Sequence, residues 1–434
     1  MRQYLLLWFS FVFFAGCAIA PSIIDGGEAE MAKAFSVEDL GQTEYECKFY
    51  RLLDFSATAN NGNWWGLNII KIASNSEYIF CYVLTEDNSR RQVALYRIAR
   101  SGEVLRGLLL DVSRPPNIFI DSENIVHIIG HRPFSGKKEH DGYLFHIRFL
   151  EPNVVWGEYE SEDISPKWRS SRKSISTYST YYNGCAIFDD NIIVAYDSSI
   201  NFNQPPYILN SRIWNKDDKA WSRETISSQL PSRFCYPHVQ ITAERAYVLA
   251  IEDQQDSEIG YRYGMMKLFV KEDEWKEETI IDFNKAYNKF EIKAMQLHDV
   301  DLFVDSQEDI NILIRHKEQK SMRIFYYKKT EYDENWSVHD LGSYQSNWAK
   351  FWESRSGHLY IILPKRRSIS IVSVETGEEL NISIPREMQL AKPVPFVANS
   401  RSGSNEREII DIILYSQNSV SDPVVASINA SALQ

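Results

Sequence analysis

Histidine, tyrosine and arginine recur in this 434-residue chain at one kind of place, just before or just after a short apolar run. His131 and Arg132 follow Ile125-Val126-His127-Ile128-Ile129, and Arg114 and Pro115 precede the run before it. Tyr178, Tyr181 and Tyr182 precede Cys185-Ala186-Ile187-Phe188, and Asp197 follows the next run. Tyr236 and His238 open another, with Glu252 and Asp253 closing its successor. Arg315 and His316 follow Ile310-Asn311-Ile312-Leu313-Ile314, while Trp348 and Lys365 flank a later pair. Imidazole and phenol groups move protons. A guanidinium grips an oxyanion through two parallel hydrogen bonds. An aromatic face covers the apolar side of a sugar ring while polar groups take its edge. Together these groups suit an anionic carbohydrate. Two basic stretches point the same way: Lys137, Lys138 and His140, and Lys167-Trp168-Arg169 with Arg172 and Lys173. They stand out in a chain of net charge −12. The same residues also suit blander roles. His127, in mid-run, reads as a packed strand residue, the tyrosine cluster as rim packing, and the basic loops as solvated surface.

Such residues need elements to hold them. From about residue 64 one unit recurs: an apolar strand, a polar turn, a second apolar strand. The first three copies run from Asn68-Ile69-Ile70-Lys71-Ile72 to Tyr78-Ile79-Phe80-Cys81-Tyr82, from Asn117-Ile118-Phe119-Ile120-Asp121 to Ile125–Ile129, and from Cys185–Asp189 to Ile192-Ile193-Val194-Ala195-Tyr196. Four more begin near His238, Asp301, Ala349 and Pro395. Repetition at such a period signals a propeller or a solenoid, and short strands without long amphipathic segments select the propeller. In four copies a Trp follows a charged turn: Trp156, Trp221, Trp275 and Trp336. These resemble worn Asp-boxes, Ser-x-Asp-x-Gly-x-x-Trp, whose tryptophan packs between sheets and here opens each outermost strand. The expected fold is all-β, a seven-bladed β-propeller of four-stranded antiparallel blades over residues 45–434. The run Cys47-Lys48-Phe49-Tyr50-Arg51-Leu52-Leu53 should return as the outer strand of the last blade and close the ring. The competing architecture is a pair of β-sandwiches. In a propeller the start of each inner strand and the end of the second share one face. His131, Arg132, Tyr181 and His238 are therefore expected to converge at one channel mouth.

The first residues read as an export signal. Arg2 precedes the apolar run Tyr4–Phe14, which is too short to span a bilayer. Phe14-Ala15-Gly16-Cys17 is similar to a lipobox, in which Cys17 is lipidated after removal of residues 1–16; cleavage after Ala20 is the alternative. Residues 17–44, polar and small, read as a tether. The expected location is the outer membrane or cell surface, with membrane contact through the lipid alone and the protein a monomer. The acidic balance argues against nucleic acid. Cys47, Cys81, Cys185 and Cys235 sit in apolar runs and read as buried free thiols. With no Cys-x-x-Cys and no His/Cys cluster at ligand spacing, neither a metal nor another cofactor is expected.

The stretch Leu108-Leu109-Leu110-Asp111, Ser113-Arg114-Pro115-Pro116-Asn117-Ile118-Phe119-Ile120-Asp121 to Ile128-Ile129-Gly130-His131 resembles the bacterial neuraminidase repeat (BNR) propellers related to ulvan lyases. Thr180-Tyr181-Tyr182-Asn183-Gly184 and Tyr236-Pro237-His238-Val239 are similar to the segments that open that family's following blades. The resemblance covers about residues 64–345. It implies β-elimination on an anionic polysaccharide, with His131 and Tyr181 as the catalytic pair. Arg132, Tyr182, His238, Arg315 and His316 are the residues then expected to bind substrate. Two positions depart from the family pattern. Ser113 or Arg114 falls where its first histidine stands, and Asp197 falls where an arginine is expected. The arginine triad and Tyr/Glu pair of sialidases have no identified counterpart. A non-catalytic glycan- or protein-binding surface propeller, or an envelope assembly scaffold, remains the alternative to a lyase or glycosidase.

Overall fold

The computed structural model describes residues 30–31, 34–38, 47–52, 68–87, 90–134, 142–165, 183–201, 204–230, 232–256, 260–286, 300–318, 321–342, 348–404, 407–416, 422–430 and 433. Their strands form seven antiparallel sheets, the blades of a β-propeller. From the inner strand outward, blade 1 is Ile72–Ser74, Tyr78–Asp87, Arg90–Ala99 and Val104–Asp111. Blade 2 is Asn117–Ile120, Val126–Pro133, Gly142–Phe149 and Tyr159–Asp163. Blade 3 is Asn183–Phe188, Asn191–Asn201 and Gln204–Asn215, with Ala220–Trp221 and Glu224–Leu230 sharing its outer edge. Blade 4 is Arg233–Ile241, Ala246–Asp256, Gly260–Lys271 and Trp275–Asp282; blade 5 is Val300–Val304, Ile310–Glu318, Ser321–Lys329 and Ser337–Asp340. Blade 6 is Lys350–Glu353, Leu359–Pro364, Ser368–Ser373 and Glu379–Ser383. Blade 7 takes three strands from the C-terminal part, Pro393–Val397, Ile409–Ser416 and Val424–Asn429, and its fourth from the N-terminal part, Cys47–Leu52.

Burial explains why the recurring unit is apolar–turn–apolar. Second strands lie between two neighbouring blades, so Leu359–Pro364 is buried throughout. Outer strands meet solvent, and Ser337–Asp340 is exposed throughout. Only the inner hairpins therefore stand out as apolar runs. Blades also approach closely enough to exclude side chains. A Cβ on Gly184 would lie 1.8 Å from the Pro237 carbonyl oxygen of blade 4.

Ring closure follows the expected scheme. Cys47 pairs with Ile428 and Tyr50 with Val425. At the same seam Arg100 of blade 1 reaches blade 7. Its two terminal nitrogens donate to the two oxygens of the buried Asp411 at 2.6 and 2.7 Å, and further bonds reach Ser427 Oγ and the Asn75 carbonyl. Within the segment expected to be a tether, Glu30–Met31 pairs with the outer strand of blade 1 and Ala34–Glu38 with Cys47–Leu52. These strands extend two outer edges.

The tryptophans staple successive blades. Trp221 Nε1 donates to Glu162 at 2.7 Å, Trp275 Nε1 to Glu224 at 3.2 Å and Trp336 Nε1 to Glu278 at 2.9 Å. Each glutamate stands on the outer strand of the preceding blade. Lys271 pairs with Glu224, and Lys329 with Glu278. Trp275 opens its outer strand and Trp336 immediately precedes one, while Trp156 falls in the turn before Tyr159–Asp163. Its ring takes the Arg97 guanidinium of blade 1 at 4.5 Å. Cys47, Cys81 and Cys185 are buried free thiols, as expected; the Cys235 side chain and Cys17 lie outside the described residues.

Arg100→Ala strands the buried Asp411 carboxylate at the seam. Urea denaturation is expected to show a loss of about 3–5 kcal/mol. A loss near that of an exposed ion pair, below about 1 kcal/mol, would remove this contact from the closure.

Candidate functional site

Each blade sends polar groups to the central axis, and they join in two arcs. The first is made of amides. Asn68 Nδ2 donates to the carbonyl oxygens of Asn183 and Pro237 at 2.8 and 2.9 Å. Asn117 Oδ1 accepts from the Ile70 backbone at 3.0 Å, and its amide donates to Asn183 Oδ1 at 3.1 Å. Pro237 can offer its carbonyl because the inner strand of blade 4 bulges between Cys235 and His238, with Tyr236 at φ 51°.

The second arc is ionic. Asp301 Oδ1 accepts from Lys350 Nζ at 3.0 Å and Arg401 Nη2 at 2.9 Å, and Oδ2 accepts from the Phe351 backbone at 3.0 Å. Burial alone would raise the Asp301 carboxyl, but Arg401 and Lys350 outweigh it, with help from His238 and the Phe351 amide. It is held at about 2. His238 is buried in the same arc. Burial pushes its imidazole well below the ordinary value; Lys350 and Arg401 push the same way and Asp301 opposes them. The ring is therefore neutral near pH 7. Lys71 is wholly buried, its Nζ 4.1 Å from the Phe396 ring centroid and 5.0 Å from that of Tyr415. Burial, then Lys350, drives its amine well below the ordinary lysine value.

One end of the axis is plugged. Between the first two strands of blade 7, Asn399 Oδ1 caps a short turn by accepting from the Arg401 backbone. Arg401 Nη1 then donates to the Leu302 carbonyl of blade 5 at 2.7 Å. Ser404 Oγ accepts from the Ser74 backbone of blade 1 at 2.8 Å. Gly403, at φ 77°, sits so close that a Cβ would lie 1.8 Å from the Ile120 oxygen of blade 2. This is the end where inner strands finish. The opposite face, where they begin, holds the candidate site.

Toward that face the second strands of blades 2 to 5 carry buried ionisable residues, two to four positions before their ends: His131, Asp197, Glu252 and Arg315. The His131 ring packs on Gly142, where a Cβ would lie 2.5 Å from its Cε1. Arg132, next along the strand, points to the other side. Its guanidinium lies 4.7 Å from the Phe145 ring centroid, and Nε donates to the Asp111 carbonyl at 3.3 Å. The Arg315 guanidinium lies 5.0 Å from the ring of Trp348, in blade 6's lead-in. Neither oxygen of Glu252, which is wholly buried, has a hydrogen-bond partner among the described residues.

Of the residues singled out by sequence, the structure brings Arg315 to Trp348 and seats His238 with Asp301, Lys350 and Arg401. His131 and Arg132 share a strand end and diverge. Tyr178, Tyr181, Tyr182, both basic stretches and the His316 side chain lie outside the described residues. Sequence reasoning missed Lys71, Asp301, Lys350 and Arg401. Three of them leave a signal: Lys71, Asp301 and Lys350 are charges within or at the start of inner apolar runs.

Compared by sequence, the chain matches no protein-family model and no curated protein. Compared by structure, it is similar to the polysaccharide lyase Uly1, with a TM-score of 0.54 at 9% identity over 86% of this chain and 91% of that one. It is likewise similar to an ulvan lyase of the PL25 family bound to -[GlcA(1-4)Rha3S]-, with a TM-score of 0.52 at 12% identity over 86% and 95%. At such identities the likeness is one of fold. The seven-bladed propeller expected from the sequence is the fold observed, and these two lyases are similar to it in fold.

Asp301→Asn leaves Lys350 and Arg401 facing each other at the axis. It should cost about 3–5 kcal/mol at neutral pH. The Asp301 carboxyl is depressed in the folded chain, so its contribution is present above the unfolded carboxyl value of about 4. That contribution is lost as pH falls through about 2. Urea titrations of both chains should therefore converge in acid; a gap that stays constant would contradict the charged arc.

Proposed function

We propose that this protein binds an anionic polysaccharide at the face of the propeller where the inner strands begin. The observation that carries this is a pair of arginines at that face, Arg132 over Phe145 and Arg315 over Trp348. Each ring holds a guanidinium in place, and a guanidinium suits a sugar bearing carboxylate or sulfate. The plugged far end supports the choice of face, and so does the fold shared with two polysaccharide lyases. Tyr182, His238 and His316 complete the proposed binding set, and lipidated Cys17 would hold the domain at the outer membrane or cell surface.

Cleavage would need more than binding. In β-elimination a base removes the proton beside the carboxylate, the bond to the leaving sugar oxygen breaks, and an acid protonates that oxygen. His131 and Tyr181 are the base and acid that the family resemblance supplies. His131 packs against Gly142, and its partner Tyr181 lies outside the described residues. Binding is accordingly the function proposed, with cleavage read in the same assay.

Titration calorimetry with sulfated uronate polysaccharides tests it. Arg132→Ala should weaken binding by about 1.5–3 kcal/mol, the range for a charged hydrogen bond. The loss should shrink as salt rises. Equal binding of a neutral polysaccharide, or full affinity in Arg132→Ala, would defeat the proposal. New ultraviolet absorbance from unsaturated ends would identify turnover.

A further inference from the structure

A line of hydrogen bonds crosses blade 2 away from the proposed site and does not depend on that reading. It begins in the turn after the inner strand, where Asp121 Oδ1 accepts from the Glu123 and Ile125 backbones at 3.0 and 2.7 Å. Asp121 Oδ2 lies 3.2 Å from His127 Nε2. His127 Nδ1 lies 3.0 Å from His146 Nε2, and His146 Nδ1 lies 3.0 Å from Glu162 Oε1. The same oxygen accepts from Trp221 of blade 3 at 2.7 Å. His127 and His146 are buried, and both rings meet Trp214 edge-on at 5.7 and 5.9 Å.

Counting protons decides the state of this line. Three contacts join Asp121, His127, His146 and Glu162, and each needs one proton between its two heavy atoms. Two neutral imidazoles carry one ring proton apiece. With both facing their carboxylates, two lone pairs would meet at 3.0 Å between the rings. A third proton is required. Imidazole is more basic than a carboxylate by about 2 units, so the proton belongs on a ring. Asp121 Oδ1 accepts from two backbone donors. Burial alone would raise Glu162, but bonds from His146 and Trp221 outweigh it and keep its carboxyl below the ordinary value. Burial pushes His146 down to about 4 against the pull of Glu162. Charge balance agrees. Asp121 is a buried carboxylate, and His127 is its partner among the described ion pairs. The nearby cations, Arg148 beside His146 and Arg212 beside Glu162, act on the far end of the line.

We propose that His127 and His146 form a buried pair that shares three ring protons near neutral pH and ties blade 2 to blade 3. The pair donates to Asp121 at one end and to Glu162, which holds Trp221, at the other, with the third proton between the two rings. Losing the third proton sets two lone pairs face to face and strips the pair of the charge that balances Asp121. A proton bound more tightly in the folded chain stabilises it until pH rises through the pair's titration, where that stability is lost. The junction is thus tighter in mild acid than in alkali. The strand that carries His127, Val126–Pro133, also carries Arg132.

Nitrogen NMR on the intact chain, labelled at the histidine ring nitrogens, tests this without a variant. Coupling across the N–H···N bond identifies the two rings. At about pH 7 one should carry protons on both nitrogens and the other on one, and raising the pH should shift both rings together as one proton leaves. Asp121→Asn, which removes the countercharge, should move that titration to lower pH. Two singly protonated rings at about pH 7, or no coupled pair at any pH, would overturn the proposal, as would an unmoved titration in a folded Asp121→Asn chain.

Discussion

A propeller stands or falls with the closing of its ring, and here that closure joins segments hundreds of residues apart. Cys47–Leu52 completes the sheet whose other three strands begin at Pro393. Arg100 and Asp411, 311 positions apart, lock the same seam. Elsewhere each blade is tied to the next by links that repeat with the fold. Asn75 donates to Asn124 and Asn153 between blades 1 and 2, and Ser122 donates to Asp190 between 2 and 3. Thr242 donates to Glu308 between blades 4 and 5, and the Ser306 backbone donates to Glu353 between 5 and 6. Tryptophan–glutamate staples reinforce three of the junctions. Two of the outer edges, those of blades 1 and 7, are extended by N-terminal strands.

Closing the ring crowds seven inner strands around one axis, and their polar groups must be satisfied there or cost free energy. The amide arc solves this for blades 1 to 4 with neutral donors and acceptors. The ionic arc solves it on the other side with Asp301 between two cations, which is why a wholly buried carboxylate stays charged. The turn that delivers Arg401 is also the plug. One device therefore neutralises Asp301 and closes the channel at one end, leaving recognition to the other face.

Much of this was legible in the sequence, for reasons the burial pattern makes plain. Inner hairpins are apolar on both sides, so they announce themselves as paired runs. The closing strand was readable because the last blade lacked a fourth strand and an orphan run preceded the first. The axis was harder. One charge within an apolar run looks the same whether it faces solvent or six other strands, so Lys71, Asp301 and Lys350 passed as strand residues. His127 was read as packed, and it is. Its hydrogen-bonded partner, His146, stands 19 positions later on another strand, and no local spacing links them. At the mouth, Tyr181 and Tyr182 stand in a connection between blades 2 and 3 that lies outside the described residues.

The most direct test of the account is a crystal structure of the protein with a sulfated uronate oligosaccharide bound. The account predicts the sugar on the face where the inner strands begin, its acidic groups within hydrogen-bonding distance of Arg132 or Arg315. Sugar seated on the plugged face, or along the outer strands, would contradict it.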